Sequence, residues 1–203
     1  VIALFFEVTP KRSAVREYLD LAAKLRPALD AIGGCLFIDR FRSLMRPDTL
    51  LSFQIWRDEA ALARWRVDAQ HRKAQTQGRA RIFADYRLRI AQVIREEARD
   101  GSPWQPRRLN AYNDPAARAA RFVALAESRT ASLAGWPAAV ESFESLYRPG
   151  EHAHVFEVAS ADAVNLARLA HIQRLRVCEV ERDYGMHKRA EAPQYYPPME
   201  NAK

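Results

Sequence analysis

Phe41-Arg42-Ser43-Leu44-Met45-Arg46-Pro47 recurs as Phe143-Glu144-Ser145-Leu146-Tyr147-Arg148-Pro149, with five of seven positions identical at an offset of 102 residues. A second pair, Leu88–Arg95 (LRIAQVIR) and Leu175–Arg182 (LRVCEVER), matches at an offset of 87. Self-similarity of this kind marks one supersecondary unit used twice. The offsets differ by 15, so the second copy has lost about that many residues between its two matches. The loss falls within the counterpart of Trp56–Arg95.

Outward from these anchors, the first copy reads as an ordered set of elements. Val1 to Val8 is a nearly unbroken apolar run, as in a strand buried on both faces. Thr9-Pro10 suits the start of a helix, and apolar residues from Val15 to Ile32 follow at helical spacing, with Pro27 interrupting and Gly33-Gly34 ending it. Cys35 to Leu44 and Leu50 to Trp56 read as a hairpin around Pro47. Asp58 caps a second helical stretch reaching about Arg81. Phe83 to Arg95 reads as a fourth strand, and its alternating arginines suggest a sheet edge.

The order strand, helix, strand, strand, helix, strand is the ferredoxin-like βαββαβ unit. Residues 1–96 form the first unit, 97–106 a linker rich in Gly, Ser and Pro, 107–182 a shortened second unit, and 183–203 a tail rich in Pro and Tyr. In the second unit a strand is expected at Arg108–Asn113, a helix at Ala116–Leu133 after Asp114-Pro115, a hairpin at Ala138–Tyr147 and Glu151–Val158, a short helix at Ala161–Leu169 and a last strand at Gln173–Arg182. Each four-stranded sheet would leave one face bare. The expected fold is therefore α+β, with two βαββαβ units packed sheet to sheet as an intrachain pseudo-dimeric barrel.

Composition narrows the function classes. The chain has 203 residues, 48% hydrophobic and 28% charged, which is ordinary for a globular protein. No apolar run is long enough to span a bilayer. VIALFF lacks the flanks of a signal peptide, and the two cysteines, Cys35 and Cys178, make no disulfide framework, so a reduced cytoplasmic setting is expected. The net charge of +7 arises wholly in residues 1–96, which carry 18 basic and 11 acidic side chains. Such a bias suits an anionic ligand as well as a solvated basic face. Nucleic acid is disfavoured, because the aromatics fall at core spacing. There is no GxGxxG, Walker A or GxSxG motif. His152 and His154 lie two residues apart without an evident third ligand, and read as an exposed pair rather than a metal site.

Trp65, His71, Ala74, Gln75, Gly78, Arg79, Phe83, Tyr86, Arg89, Val93 and Arg95 form an ordered pattern. Together with Arg40, Phe41, Ser43, Leu44 and Trp56, it resembles the antibiotic biosynthesis monooxygenase superfamily of dimeric α+β barrels. The resemblance covers residues 1–96 and extends to 107–182 through the repeat. It implies a pocket between sheet and helices in one unit, and a monooxygenase that uses O₂ on a small phenolic or anthrone-like aromatic without metal or flavin. His71 would be the base, Arg79 would face an anionic oxygen and Tyr86 would donate to it. Trp65, Trp56, Phe83 and Gln75 would line the substrate. Each has a competing reading: a hydrogen-bonded histidine, a salt-bridged surface arginine or a core aromatic. A second branch of the superfamily degrades haem, which would be the alternative cofactor, but Val1–Val8 lacks the Asn that branch needs. A non-catalytic barrel that binds a small ligand is the third alternative. The partner is expected to be a small aromatic or anionic molecule, not a membrane, and further homodimerisation is left open.

Overall fold

The structure, a computed structural model, describes residues 1–100, 121–133, 141–164, 171–193, 196, 197 and 199. Strand β1 (Ile2–Pro10) is the opening apolar run, and it is buried on both sides as expected. Ala3 and Phe5 point into one apolar cluster, whereas Ile2 and Leu4 join another. The strand runs through Pro10, so Thr9-Pro10 does not start the helix; a single 3₁₀ turn at Arg12–Ala14 does. Helix α1 (Val15–Lys24) then gives way at Leu25 to α2 (Arg26–Ile32). Pro27 sits in the first turn of α2, where its missing N–H costs nothing. Gly33 closes α2 at φ 71°, a left-handed conformation that favours glycine.

Strands β2 (Cys35–Ser43) and β3 (Leu50–Trp56) form the hairpin. The Asp58 carboxylate accepts from Ala61 N at 2.7 Å and caps α3 (Glu59–Val67). Asp68 does the same for α4 (Ala69–Gln77), accepting from His71 N at 2.9 Å. A π turn at Gly78–Ile82 leads into β4 (Phe83–Ala98). The second half supplies β5 (Phe122–Ser128), β6 (Glu141–Ser145), β7 (His152–Val158) and β8 (Ile172–Gly185).

The eight strands close into one barrel in the order β1-β3-β2-β6-β7-β5-β8-β4. Each half contributes four adjacent strands, and the halves meet at β2·β6 and β4·β8. At the first seam Phe41 faces Ser145 and Ser43 faces Phe143, so each copy of the heptapeptide pairs with the other in reverse. At the second, Arg89 faces Asp183 and Glu96 faces Arg176, residues exchanged by the offset of 87. The barrel interior merges side chains of both halves, including Phe5, Phe41, Phe53, Leu125, Phe143 and Val155. The two bare sheet faces therefore cover each other, and the helices of the first half lie outside.

The repeated motif has a physical role. Ser43 Oγ accepts from Arg46 N at 2.6 Å to shape its turn, and donates to Glu141 across the seam at 2.5 Å. Arg46 Nε donates to the same carboxylate. In the mirror arrangement Ser145 Oγ accepts from Arg148 N at 3.0 Å and donates to Asp39 at 3.0 Å, while Arg148 Nη2 donates to Asp39 at 2.6 Å. Asp39 and Glu141 are both buried and both satisfied.

Three expectations need correction. Strand β4 is no edge: it lies between β1 and β8, and Arg89 is 2% exposed inside the barrel. Charge is tolerated there because Arg89 donates to Glu7 at 2.5 Å, just as Arg176 donates to Glu127 at 2.9 Å in the other half. Burial opposes the charge of both arginines. It holds Arg89 below the usual range, whereas Arg176, set between Glu127 and Glu96, is raised. Second, Phe122–Ser128 is a strand inside the stretch expected to be a helix. Its Ala and Leu carry helical propensity, but burial between β7 and β8 overrides it. Third, His152 and His154 are buried rather than exposed, and His154 is bonded to Ser128 and Ser142. No metal-binding cluster occurs among the described residues.

The strand expected at 108–113 and the Asp114-Pro115 cap lie outside the described residues, as do 138–140 and 165–170; residues 161–163 form a turn. Cys178 is fully buried with its thiol pushed up to about 12 by that burial, and Cys35 is half-buried and also raised. No described helix is long and apolar enough to cross a membrane.

Removing Glu7 takes from the buried Arg89 guanidinium its hydrogen-bonded carboxylate and leaves the half-exposed Glu157 at 3.8 Å. Glu7→Ala should cost about 3–5 kcal/mol of stability, and the double variant Glu7→Leu/Arg89→Met should recover most of it, as read by urea unfolding.

Candidate active site

The outer face of the first sheet carries Leu4, Phe6, Gln54, Tyr86 and Leu88, and helices α3 and α4 stand over it. Between them lies a cavity of about 140 Å³. That is roughly ten times the volume that holds one water. A neighbouring cavity of about 130 Å³, toward α1 and α2, shares Phe6, Gln54, Trp65, His71, Gln75 and Phe83 with it. His71 and Gln75 thus border both spaces.

Local structure sets each polar group. The break at Asp68 lets α4 start afresh, which folds His71 back against Trp65. The two rings stack at 4.1 Å with an interplanar angle of 11°. His71 Nδ1 lies 2.9 Å from the Trp65 carbonyl oxygen, which can only accept, so Nδ1 carries the proton. Nε2 is then the basic nitrogen, and no described residue bonds it. Gln75 Nε2 sits 3.3 Å from Nδ1, a weaker contact. Burial pushes His71 down to about 4, outweighing the Trp65 carbonyl and Asp68, which act the other way. The ring is neutral at pH 7.

The π turn places Arg79 inward. A side chain at Gly78 would meet the Phe83 ring at 2.4 Å, so glycine is required for Phe83 to close the cavity wall. Arg79 is 7% exposed and donates to the Tyr86 hydroxyl at 2.6 Å. Arg189, 8% exposed, donates to the same hydroxyl at 2.8 Å. It comes from the segment after β8, which turns back across the cavity mouth. Arg189 Nε donates to Tyr196 O at 2.7 Å, Arg79 Nη2 reaches Pro197 O, and the Tyr196 hydroxyl donates to Arg72 O at 3.2 Å. Arg66 also lines the cavity, and its Nε is buried without a partner. Among the described residues the cavity has three arginines and no carboxylate in its lining, and neither Arg79 nor Arg189 has an acidic side chain within salt-bridge distance. Tyr184 contributes a wall, and burial pushes its hydroxyl up to about 12.

Of the residues expected at the site, His71, Tyr86, Arg79, Trp65, Phe83 and Gln75 line this one cavity. Trp56 does not. It is fully buried in the core, and its indole Nε1 donates to Gln54 Oε1 at 2.9 Å, so it orients Gln54, which does line the cavity. Arg79 is no surface arginine. Arg189, Tyr184 and Tyr196 escaped the sequence reading, since a lone arginine in a tail carries no spacing signal; the Pro and Tyr content of that tail was the sole hint.

Comparisons with known proteins give the family. A family model described as antibiotic biosynthesis monooxygenase matches residues 1–77. A jasmonate monooxygenase from Pyricularia oryzae is 32% identical over 98% of this chain and 99% of its own length. The chain belongs to the antibiotic biosynthesis monooxygenase family. Among solved structures, an antibiotic biosynthesis monooxygenase covers 47% of this chain and 100% of its own, at 18% identity and a TM-score of 0.42. An anthrone oxidase-like protein covers 95% of this chain and 96% of its own, at 12% identity and a TM-score of 0.38. The family relationship makes this chain a monooxygenase, and the cavity is its candidate active site.

The depressed His71 has a consequence for stability. The unfolded chain protonates this residue near pH 6.5, whereas the folded one does so near 4. Between those values the unfolded state holds more protons, so stability is intact above pH 6.5 and falls as the pH drops toward 4. The loss should be up to about 3 kcal/mol, measured by urea unfolding at pH 4.5 and 7, and His71→Phe should flatten it.

Proposed function

We propose that this monooxygenase oxidises a small, largely apolar substrate with O₂ and without flavin or metal, His71 Nε2 taking the proton that activates the substrate. The neutral, tautomer-fixed His71 facing a cavity lined by arginines carries this reading. A phenolic or anthrone-like ring fits the scheme. Loss of a proton from its activated carbon leaves an anion whose charge spreads to oxygen, and the three arginines with the Tyr86 hydroxyl favour that charge. The anion reduces O₂, and a C–O bond forms to give a peroxide, which takes the proton back from His71. Loss of the second hydrogen with breakage of the O–O bond yields a carbonyl and water. The substrate supplies all four electrons that O₂ takes up, so no outside reductant is needed.

A second substrate class is supported by the full-length relative, which is named for jasmonate, together with the wholly cationic charge of the lining. Oxygen uptake should be measured with anthrone, related phenolic polycycles and jasmonate. Uptake is expected with at least one, and His71→Ala should lower its rate by about 10²–10⁴-fold. No uptake with any of them, or an unchanged rate in His71→Ala, would sink the reading.

A further inference from the structure

We propose that Arg79 and Arg189 form a carboxylate anchor, so that the substrate is a carboxylic acid whose acid group binds under the C-terminal segment, at the Tyr86 end of the cavity. This rests on the reading of the cavity as the substrate site. It adds a group on the substrate that does not react, and residues that select for it.

The argument starts from charge. Guanidinium stays protonated at any working pH, and a buried charge is costly unless it is paired. The other two fully buried arginines among the described residues keep the rule: Arg89 has Glu7, and Arg176 has Glu127 and Glu96. Arg79 and Arg189 are comparably buried, yet share a neutral phenol oxygen. Each guanidinium has five N–H donors. Among the described residues, Arg79 uses two, on Tyr86 and Pro197, and Arg189 three, on Tyr86, Tyr196 and Gly185, with every acceptor uncharged. Both residues line an open cavity whose described walls carry no carboxylate.

The shape favours a carboxylate over a phenolate. The two guanidiniums converge on one point, with Tyr86 Oη at 2.6 and 2.8 Å from their nitrogens. The Tyr86 hydroxyl accepts both bonds and so has its own proton left to donate. Such a cluster offers several donors to one spot. A carboxylate meets it with two oxygens and about four lone-pair sites, and Arg binds that group with matching planar geometry. A carboxylate is also charged before any reaction, which offsets the two cations in the resting complex. Aromatic faces hold the pair in place: Arg79 lies 5.3 Å from the Tyr196 ring centre and Arg189 5.4 Å from that of Tyr184.

Because Arg189 and Tyr196 belong to the segment after β8, the anchor exists only when that segment is docked. Selection for the acid is then a property of the second half of the chain, although the base and most of the walls come from the first.

The test compares acids with their own methyl esters: benzoate against methyl benzoate, and jasmonate against methyl jasmonate. Each is titrated calorimetrically into the full chain. At least one acid should bind tenfold or more tightly than its ester. Arg189→Gln and Arg79→Gln should each weaken that acid by about 10- to 100-fold and leave its ester nearly unchanged. Arg189→Lys should keep part of the preference, and Arg12→Gln, at an exposed position, should keep all of it. Thermal unfolding confirms that each variant is folded. Equal binding of acid and ester, binding of no acid, or an unaltered preference in folded Arg189→Gln and Arg79→Gln would overturn the proposal. The readout is separate from oxygen uptake. An acid preference without turnover would fault the reaction proposed above and leave the anchor standing; turnover without an arginine-dependent preference would do the reverse.

Discussion

Two buried carboxylates, each held by a serine and an arginine from the opposite half of the chain, are the contacts on which the rest of this structure depends. Glu141 receives Ser43 and Arg46, and Asp39 receives Ser145 and Arg148. Each serine also receives backbone N–H groups of its own turn, so the turn and the seam are built by one hydroxyl. An isolated buried carboxylate would be strongly unfavourable. The two halves relieve that cost for each other, and neither can do so alone. The consequence is a closed barrel with no free sheet edge at β2 or β6.

With the sheet faces buried against each other, the cavity beside His71 lies outside the barrel, beneath the helices of the first half. There the two halves diverge. In the matching registers, Leu4 and Phe6 of β1 correspond to Ala124 and Ala126 of β5, and Gln54 of β3 to Phe156 of β7. The second face is correspondingly an apolar cluster closed by Val164, Ile94 and Leu133. The first keeps a polar glutamine on its floor and an open space above it. The sheets are symmetric because they must close one barrel. The outer faces are under no such constraint, so one could keep a site while the other filled.

Much of this was legible in the chain. The repeat predicted two similar units, and their mode of association followed from the bare face that each four-stranded sheet must cover. Most first-half elements could be read from apolar periodicity and capping residues such as Asp58. The site stretch Trp65–Tyr86 was visible because family-like residues cluster there in order. What could not be read was whatever depends on distant partners. Strand β5 looked helical, because Ala and Leu favour helices until two neighbouring strands claim their backbone. The alternation of Arg87, Arg89 and Arg95 looked like an exposed edge, because Glu7 and Asp183 lie far away in sequence. Trp56 looked like a ligand contact because indole rings serve equally well in cores and pockets.

The sequence by itself determined that two related stretches recur in an α+β chain, that its excess positive charge lies in the first half, and that His71, Arg79 and Tyr86 belong to one region. These follow from local pattern and composition, which act over a few residues. Tertiary structure alone decided three further things. His71 is neutral, because burial beneath Trp65 disfavours its charge. Arg79 faces a cavity rather than solvent, because the π turn rotates it inward. Arg189 joins Arg79 on Tyr86 across 103 residues of sequence, because β8 pairs with β4 and delivers the chain end to the mouth of the site.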